Sequence, residues 1–133
     1  MILLDTQVLI WWTLKSDQLS EHHRKLIDSE EHSGIAASAF SVWEVGMLVS
    51  KNRLKLSEPA QVWLDRVLAI PTVRVLEVTP QILLDSTQLP DDFHGDPADR
   101  IIVSTARAHR LALLTTDAKI LTYKHVHSVG PRP

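Results

Sequence analysis

Two short apolar runs, one at the start of the chain and one near its end, each finish in an aspartate. Residues 1–4 (Met-Ile-Leu-Leu) precede Asp5, and residues 111–116 (Leu-Ala-Leu-Leu-Thr-Thr) precede Asp117. Strands without polar alternation are typical of parallel sheets buried between helices, and ligands bind at the carboxyl edge of such sheets. The two runs therefore predict buried parallel strands, with Asp5 and Asp117 at their carboxyl ends.

Apolar runs alternate with amphipathic stretches along the whole chain, which is the pattern of strands interleaved with helices around a parallel sheet. The length of 133 residues and the hydrophobic content of 44% suit one α/β domain spanning residues 1–133, with one core. The predicted elements, in chain order, are a strand at 2–5, helices at 6–14 and 20–31, a strand at 34–37, helices starting at Ser38 and near 57–59, a strand at 73–78, a helix starting at 79–80, a loop at 89–95, a helix starting at 96–97, a strand at 111–115, a helix at 118–123 and a strand at 125–129.

Two further acids lie on the apolar faces of predicted helices. Most of the neighbours of Glu44 three and four positions away, within the stretch 38–49, are apolar. Asp99 is followed at helical spacing by Ile102 and Val103, so it too is expected to face inward. An isolated buried carboxylate is costly, and such acids are usually paired, hydrogen-bonded, protonated or bound to a cation. One hard cation such as Mg²⁺, which prefers oxygen ligands, would satisfy four acids together: Asp5, Glu44, Asp99 and Asp117.

Each of these acids also has an ordinary structural explanation. Asp5 and Asp117 have the type and position of turn residues or helix caps. Glu44 at the edge of its helix can reach solvent, and Asp99 can belong to a capping arrangement with Asp96. Four independent explanations of this kind in one chain are a weaker hypothesis than one shared site.

Composition excludes several classes of protein. The chain has no Cys, which rules out a disulfide framework and a thiolate zinc site and favours a reducing cytoplasm. No stretch reaches the roughly 18 apolar residues that would span a bilayer, and no basic residue precedes the first apolar run, so we expect a soluble, unexported, cytoplasmic protein. The net charge of −2 argues against a constitutively basic nucleic-acid binder. Because four of the 16 acids belong to the proposed site, however, the rest of the chain is slightly basic.

Four blocks carry a family resemblance. They are Ile2-Leu-Leu-Asp5-Thr6, Ser38-x-x-Ser-Val-Trp-Glu44, Asp96-Pro-Ala-Asp99-Arg-Ile-Ile-Val103 and Leu113-Leu-Thr-Thr-Asp117. In order, spacing and context these blocks resemble the PIN domain over essentially the whole chain, and within that superfamily the VapC-type toxin ribonucleases of toxin–antitoxin modules.

The resemblance implies a three-layer α/β/α fold with a central parallel sheet and hydrolysis of RNA phosphodiester bonds. It also implies a Mg²⁺ or Mn²⁺ site built from the family's acidic positions, which in this chain are Asp5, Glu44, Asp99 and Asp117. As partners it implies a second copy of the chain in a homodimer, and a small cognate antitoxin whose tail occupies the acidic cleft or its rim.

Other polar residues are assigned supporting roles. Thr6, Ser41, Thr115 and Thr116 are expected to hydrogen-bond the carboxylates or the waters of the metal, with caps and strand ends as the competing explanation. Asp96 competes with Asp99 for the metal, but a helix cap explains it better. The best-placed candidates for RNA phosphate contacts are Arg100 and Lys119, which follow acids of the site, with solvated surface charges as the alternative.

Histidine and tryptophan receive mostly structural interpretations. His94 lies close enough to the site for a general acid or phosphate contact, although a loop histidine without a role is the simpler hypothesis. The remaining histidines in polar helical contexts, His22 and His23 among them, are expected on solvated faces. Trp residues on amphipathic helices, such as Trp43, are typical of a core or an interface rather than of a base-stacking platform.

Three alternative functions remain open at this stage. A phosphoacceptor receiver domain also gathers acids at strand ends, but it needs a paired acid near the first strand and a later strand-end Lys, whereas here Asp5 stands alone and Glu44 is on a helix. A non-catalytic binding scaffold would not need all four acids. A housekeeping RNA-processing or DNA-cleaving PIN nuclease is the closest alternative, and the small size without an appended domain favours the toxin.

Overall fold

Five parallel strands form the centre of the computed structural model, which describes all residues from 1 to 133. In chain order the strands are β1 (Ile2–Leu4), β2 (Ile35–Ser38), β3 (Val73–Leu76), β4 (Ala112–Leu114) and β5 (Ser128–Val129). Their order in the sheet is β3-β2-β1-β4-β5. Leu4 is in register with Ala37 on one side and with Leu114 on the other. The residue that follows β1 therefore lies between the carboxyl ends of β2 and β4.

Seven helices cover the sheet. They are α1 (Thr6–Thr13), α2 (Glu21–Ser29), α3 (Ala39–Ser50), α4 (Ala60–Ala69), α5 (Pro80–Ser86), α6 (Pro97–His109) and α7 (Ala118–Leu121). Successive side chains of a strand point to opposite faces, so Leu4 packs into one apolar cluster with α1, α2 and α4, while Leu3 packs into a second cluster with α6 and α7. A core on each face of the sheet gives three layers, which confirms the predicted α/β/α architecture.

Polar side chains at the carboxyl edge begin several of these helices. Asp5, Ser38, Asp96 and Asp117 are the residues before α1, α3, α6 and α7, and each accepts a hydrogen bond from a backbone N–H of the first turn. Such caps satisfy amide groups that have no partner inside the helix. The residues that cap these four helices thus also bring the starts of the helices to the carboxyl edge of the sheet.

Two sequence predictions need correction. His23 was expected on a solvated face but is fully buried, and its Nε2 lies 2.9 Å from the carbonyl oxygen of Val129, which ties α2 to β5. The last strand was expected at 125–129 but covers only Ser128–Val129. The side chain of His125 contacts Asp91 and its carbonyl accepts from Arg107, whereas the carbonyl of His127 still accepts from the Leu113 amide at 2.8 Å. None of the helices has the combination of length and apolar character that a membrane span requires.

Candidate active site

The carboxyl edge of the sheet brings together the four acids that the sequence singles out, and we call this region the acid edge. Asp5 follows β1, Asp117 follows β4, Glu44 lies on α3 and Asp99 lies in the first turn of α6. The four come from separate parts of the chain, but they lie close enough together that neighbouring carboxylates raise the pKa values of Asp5, Glu44 and Asp99. The fold therefore brings the four acids to one edge of the sheet, and their joint role as metal ligands stays a prediction.

Asp5 is the most deeply buried member of the acid edge, with 9% of its surface exposed. Its backbone N–H donates to the carbonyl of Leu114 at 2.9 Å, which extends the pairing of β1 with β4 by one residue. Its carboxylate accepts from the Thr115 hydroxyl at 2.6 Å and from the Thr6 amide at 2.8 Å. Burial raises the pKa of Asp5, these two hydrogen bonds oppose the rise, and the charges of Asp117 and Asp96 add to it.

Glu44 is oriented by hydroxyl groups from two helices. The Thr6 hydroxyl donates to Glu44 Oε1 at 2.5 Å and lies 2.8 Å from the hydroxyl of Ser41. Burial raises the pKa of Glu44 above its usual range, the Thr6 hydrogen bond lowers it, and Asp5 raises it. Because Thr6 contacts Asp5 through its amide and Glu44 through its hydroxyl, one residue fixes the relative position of two acids.

Asp99 differs from the other acids because no protein group donates a hydrogen bond to its carboxylate. Burial, followed by the charges of Asp96, Asp117, Asp5 and Glu44, raises the pKa of Asp99 to about 7. The largest influences on this carboxyl all disfavour its charged form, and no Lys or Arg forms a salt bridge with it. The site therefore lacks positive charge at the position of Asp99.

Asp96 and Asp117 combine a capping role with a place at the acid edge. Asp96 is exposed, and its Oδ1 accepts from the Asp99 amide at 2.8 Å, so the prediction that Asp96 caps the helix is confirmed. Asp117 Oδ1 accepts from the Lys119 amide at 2.8 Å, while the Asp117 amide donates to the Thr115 hydroxyl at 3.0 Å. Thr115 therefore bridges Asp5 and Asp117.

The donor set of the acid edge suits a hard divalent cation, because every side chain in it offers oxygen. No group of three or more acidic or histidine side chains lies close enough together to hold a metal ion, so the acid edge is not a closed cage. Asp5, Glu44 and Asp117 are instead held by their own hydrogen-bond donors. Mg²⁺ keeps several waters and commonly takes only one or two carboxylates directly, so a closed cage is not a requirement for such an ion.

The remaining predicted residues have different environments. Arg100 donates to the carbonyls of Ser86 at 3.0 Å and Phe93 at 2.5 Å, so its guanidinium anchors the loop before α6, and we do not assign it to RNA. Lys119 is exposed and its ammonium group has no partner, so its phosphate contact stays a prediction. Thr116 and His94 are exposed, and the side chains of both make no hydrogen bond, unlike Thr115.

A groove beside the acid edge was not predicted from the sequence. It has a volume of about 440 Å³ and lies between α3 and the start of α6. Glu44 and Asp96 form part of its wall, and Trp43 is 56% exposed beside it. The sequence does show that residues 40, 43 and 47 share one face of α3. Helical periodicity, however, does not tell whether such a face is buried or exposed.

Comparison with known proteins gives consistent matches over the full length. The model of a family described as PIN domain matches residues 2–126. Ribonuclease VapC22 from Mycobacterium tuberculosis (strain ATCC 25618 / H37Rv) is 33% identical over 132 residues, which cover 99% of this chain and 95% of the relative.

Two solved structures share the fold. VapBC2 from Rickettsia felis, bound to a DNA fragment from the promoter, superposes with a TM-score of 0.74 at 18% identity, covering 98% of each chain. FitAcB from Neisseria gonorrhoeae superposes with a TM-score of 0.72 at 24% identity, again covering 98% of each chain.

Proposed function

The chain belongs to the PIN domain family, and on that premise we propose that it is a metal-dependent endoribonuclease that acts as the toxin of a toxin–antitoxin pair. Its similarity to a ribonuclease of the VapC type, over nearly the whole of both chains, supports RNA as the substrate. The structural similarity to VapBC2 supports a small antitoxin as the partner. In this proposal the protein is a homodimer that acts in the cytoplasm.

The observation that carries the proposal is the uncompensated charge of the acid edge. Asp99 is surrounded by four other carboxylates and receives no hydrogen bond or positive charge from the protein. A divalent cation would lower the cost of keeping these groups ionised at neutral pH. We therefore assign Mg²⁺ or Mn²⁺ to Asp5, Glu44, Asp99 and Asp117.

The metal and the side chains around it have different roles in the proposed reaction. When bound, the metal supplies an activated water and stabilises negative charge on the scissile phosphate. Thr115 and Thr6 hold Asp5 and Glu44 in fixed orientations, so little reorganisation is needed when substrate arrives. Lys119, exposed next to Asp117, is placed to meet a phosphate oxygen of the RNA.

The antitoxin is expected to exploit the same excess of negative charge. Arg or Lys side chains form strong charge-assisted hydrogen bonds with carboxylates. A cationic side chain in the tail of an antitoxin would pair with the acid edge and exclude both metal and RNA. This pairing would let the antitoxin block catalysis without altering the fold.

Calorimetric titration with Mn²⁺ tests the metal assignment directly. Wild-type protein should bind the ion, and Asp5→Asn and Asp99→Asn should remove most of the affinity. Asp28→Asn is a matched control, because Asp28 is an exposed acid on α2 outside the acid edge. Equal affinity in the Asp5→Asn, Asp99→Asn and wild-type proteins would contradict the assignment.

Mapping RNA ends after brief induction tests the reaction. New ends that appear with wild-type protein and are missing with Asp5→Asn would support endoribonuclease activity and identify the RNA. New ends confined to precursor RNAs, with no effect on growth, would favour a housekeeping processing enzyme. Cleavage of DNA alone would contradict the proposed substrate.

A further inference from the structure

The groove beside the acid edge is lined on one side by a stripe of α3 that continues directly from Glu44. Phe40, Trp43 and Met47 lie at helical spacing on this stripe, and Pro97 of α6 faces them. We propose that Trp43, supported by Phe40, is a platform on which an unpaired base of the RNA substrate stacks next to the site of cleavage. This inference rests on the proposed function.

Trp43 is presented to solvent in a way that differs from another tryptophan of the chain. It is 56% exposed, whereas Trp63 is 7% exposed in the core. The ring of Phe40 lies 5.1 Å from that of Trp43, centroid to centroid, at an interplanar angle of 30°. The Phe40 ring packs against the indole at this tilt, and more than half of the Trp43 surface stays exposed where both residues line the groove.

Two cations lie at the end of the groove away from the acids. Helix α3 ends at Ser50, and Asn52 adopts a left-handed backbone with φ of 56°, which turns the chain so that Lys51 and Arg53 both line the groove. Both side chains are exposed and neither forms a salt bridge. Lys51 lies seven residues after Glu44, or roughly 10 Å along the helix axis, which about three stacked nucleotides at roughly 3.4 Å each would span.

The combination of these groups in one groove favours a single-stranded nucleic acid as the occupant. Acids that suit a metal, an exposed aromatic surface and two cations without salt-bridge partners line the same groove. RNA offers the matching groups in one chain, because it carries a scissile phosphate, unstacked bases and further phosphates. Proteins that bind single strands use this combination of aromatic stacking and positive charge.

The inference identifies Trp43 as a specificity-determining residue and restricts the substrate to RNA with unpaired bases at the cleavage site. A double helix keeps its bases stacked on one another and has no free base face for Trp43. Loops and single-stranded ends should therefore be cleaved, and the same sequence within a duplex should resist cleavage.

Binding to two fluorescently labelled oligonucleotides tests the platform. One is a single-stranded RNA of mixed sequence about ten nucleotides long, and the other has the same length and phosphates but abasic sugars. Both are measured by anisotropy in EDTA, where metal-dependent hydrolysis does not occur. Wild-type protein should bind the base-bearing strand more tightly, Trp43→Ala should lose about tenfold in affinity for it, and Trp43→Phe should retain most of the affinity.

The control variant is Leu84→Ala, because Leu84 is 54% exposed on α5 and lies outside the groove. It should bind both strands as the wild type does. Quenching of tryptophan fluorescence by unlabelled base-bearing RNA should be present in the wild type and largely lost in Trp43→Ala. Equal affinity of Trp43→Ala and wild type for the base-bearing strand, or equal affinity of the wild type for both strands, would overturn the proposal.

Two further outcomes would distinguish failure of the proposed nuclease activity from failure of the stacking platform. Stacking on Trp43 without cleavage in Mn²⁺ would leave the platform intact and contradict the nuclease. If the Trp43→Ala variant elutes as a smaller species than the wild type in size-exclusion chromatography, Trp43 lies in a dimer interface. That result would overturn the RNA platform.

Discussion

At the scale of single residues, Asp99 is the acid of the acid edge whose carboxylate receives no hydrogen bond from the protein. Its pKa of about 7 results from burial and from four neighbouring carboxylates, against an ordinary value of 3.8. Between these two pH values the folded chain holds a proton that the unfolded chain has released. The metal-free protein should therefore lose stability as pH rises from about 4 to about 7.

We predict that Asp99→Asn removes this pH-dependent penalty. In EDTA the stability of the variant relative to the wild type should increase as pH rises through the window and level off above about pH 7. Urea unfolding of both proteins across the range measures the difference, and Asp28→Asn serves as the control. A stability difference that is flat with pH would contradict the environment assigned to Asp99.

Thr115 and Thr116 form a matched pair that the sequence does not distinguish. The Thr115 hydroxyl donates to Asp5 and accepts from the Asp117 amide, whereas Thr116 is exposed and its hydroxyl has no partner. Thr115→Val should weaken Mn²⁺ binding by about 10-fold or more, as expected for the loss of a group that orients ligands. Thr116→Val should bind Mn²⁺ as the wild type does, and titration calorimetry compares the two.

At the scale of elements, helix α6 separates the two acids of its first turn into different roles. Asp96 Oδ1 accepts from the Asp99 amide and caps the helix, whereas the Asp99 carboxylate accepts nothing. Asp96→Asn should keep much of the nuclease activity because Asn also caps helices well. Asp99→Asn should lose nearly all of it. The reverse ranking, measured on folded proteins with the same RNA, would assign the metal to Asp96 instead.

Prediction from sequence succeeds at this scale where a local rule operates. Asp5, Asp96 and Asp117 precede helices, and capping chemistry alone places them at helix starts. Burial of individual side chains is a property of tertiary packing, which explains why His23 differs from expectation and why the sequence does not tell whether Trp43 is buried. His23 is polar but fills a space under β5, and Trp43 is apolar but finds no covering element.

The Arg100 side chain illustrates the same limit for the site. Its position directly after Asp99 favours a phosphate contact, but its guanidinium reaches backwards to the carbonyls of Ser86 and Phe93. Buried carbonyl groups need donors, and sequence distance does not reveal which donor will supply them. Pattern therefore predicted that the acids lie at one edge of the sheet, but it did not predict which groups the Arg100 side chain contacts.

At the scale of the whole molecule, the order of the strands explains why the acids meet. The chain leaves β1 towards β2 and β3 on one side of the sheet, whereas it leaves β4 towards β5 on the other side. A crevice opens where neighbouring strands have connections that run in opposite directions. Asp5 and Asp117 follow the two strands at this point, and α3 and α6 bring Glu44 and Asp99 to it.

A toxin built on this arrangement should act as a catalyst whose effect depends on the acid edge and is reversed by its partner. Inducing the wild-type chain alone should arrest growth and reduce translation, since each folded molecule removes many RNA molecules. Asp99→Asn should accumulate as folded protein without arresting growth, and Trp43→Ala should arrest it more slowly.

Co-expression of an adjacent small open reading frame should restore growth, because a cationic tail paired with the carboxylates excludes metal and RNA together. Growth curves and incorporation of labelled amino acids measure these effects. Unimpaired growth in the natural host without the partner, while folded and metal-loaded protein accumulates, would instead indicate an enzyme of RNA processing.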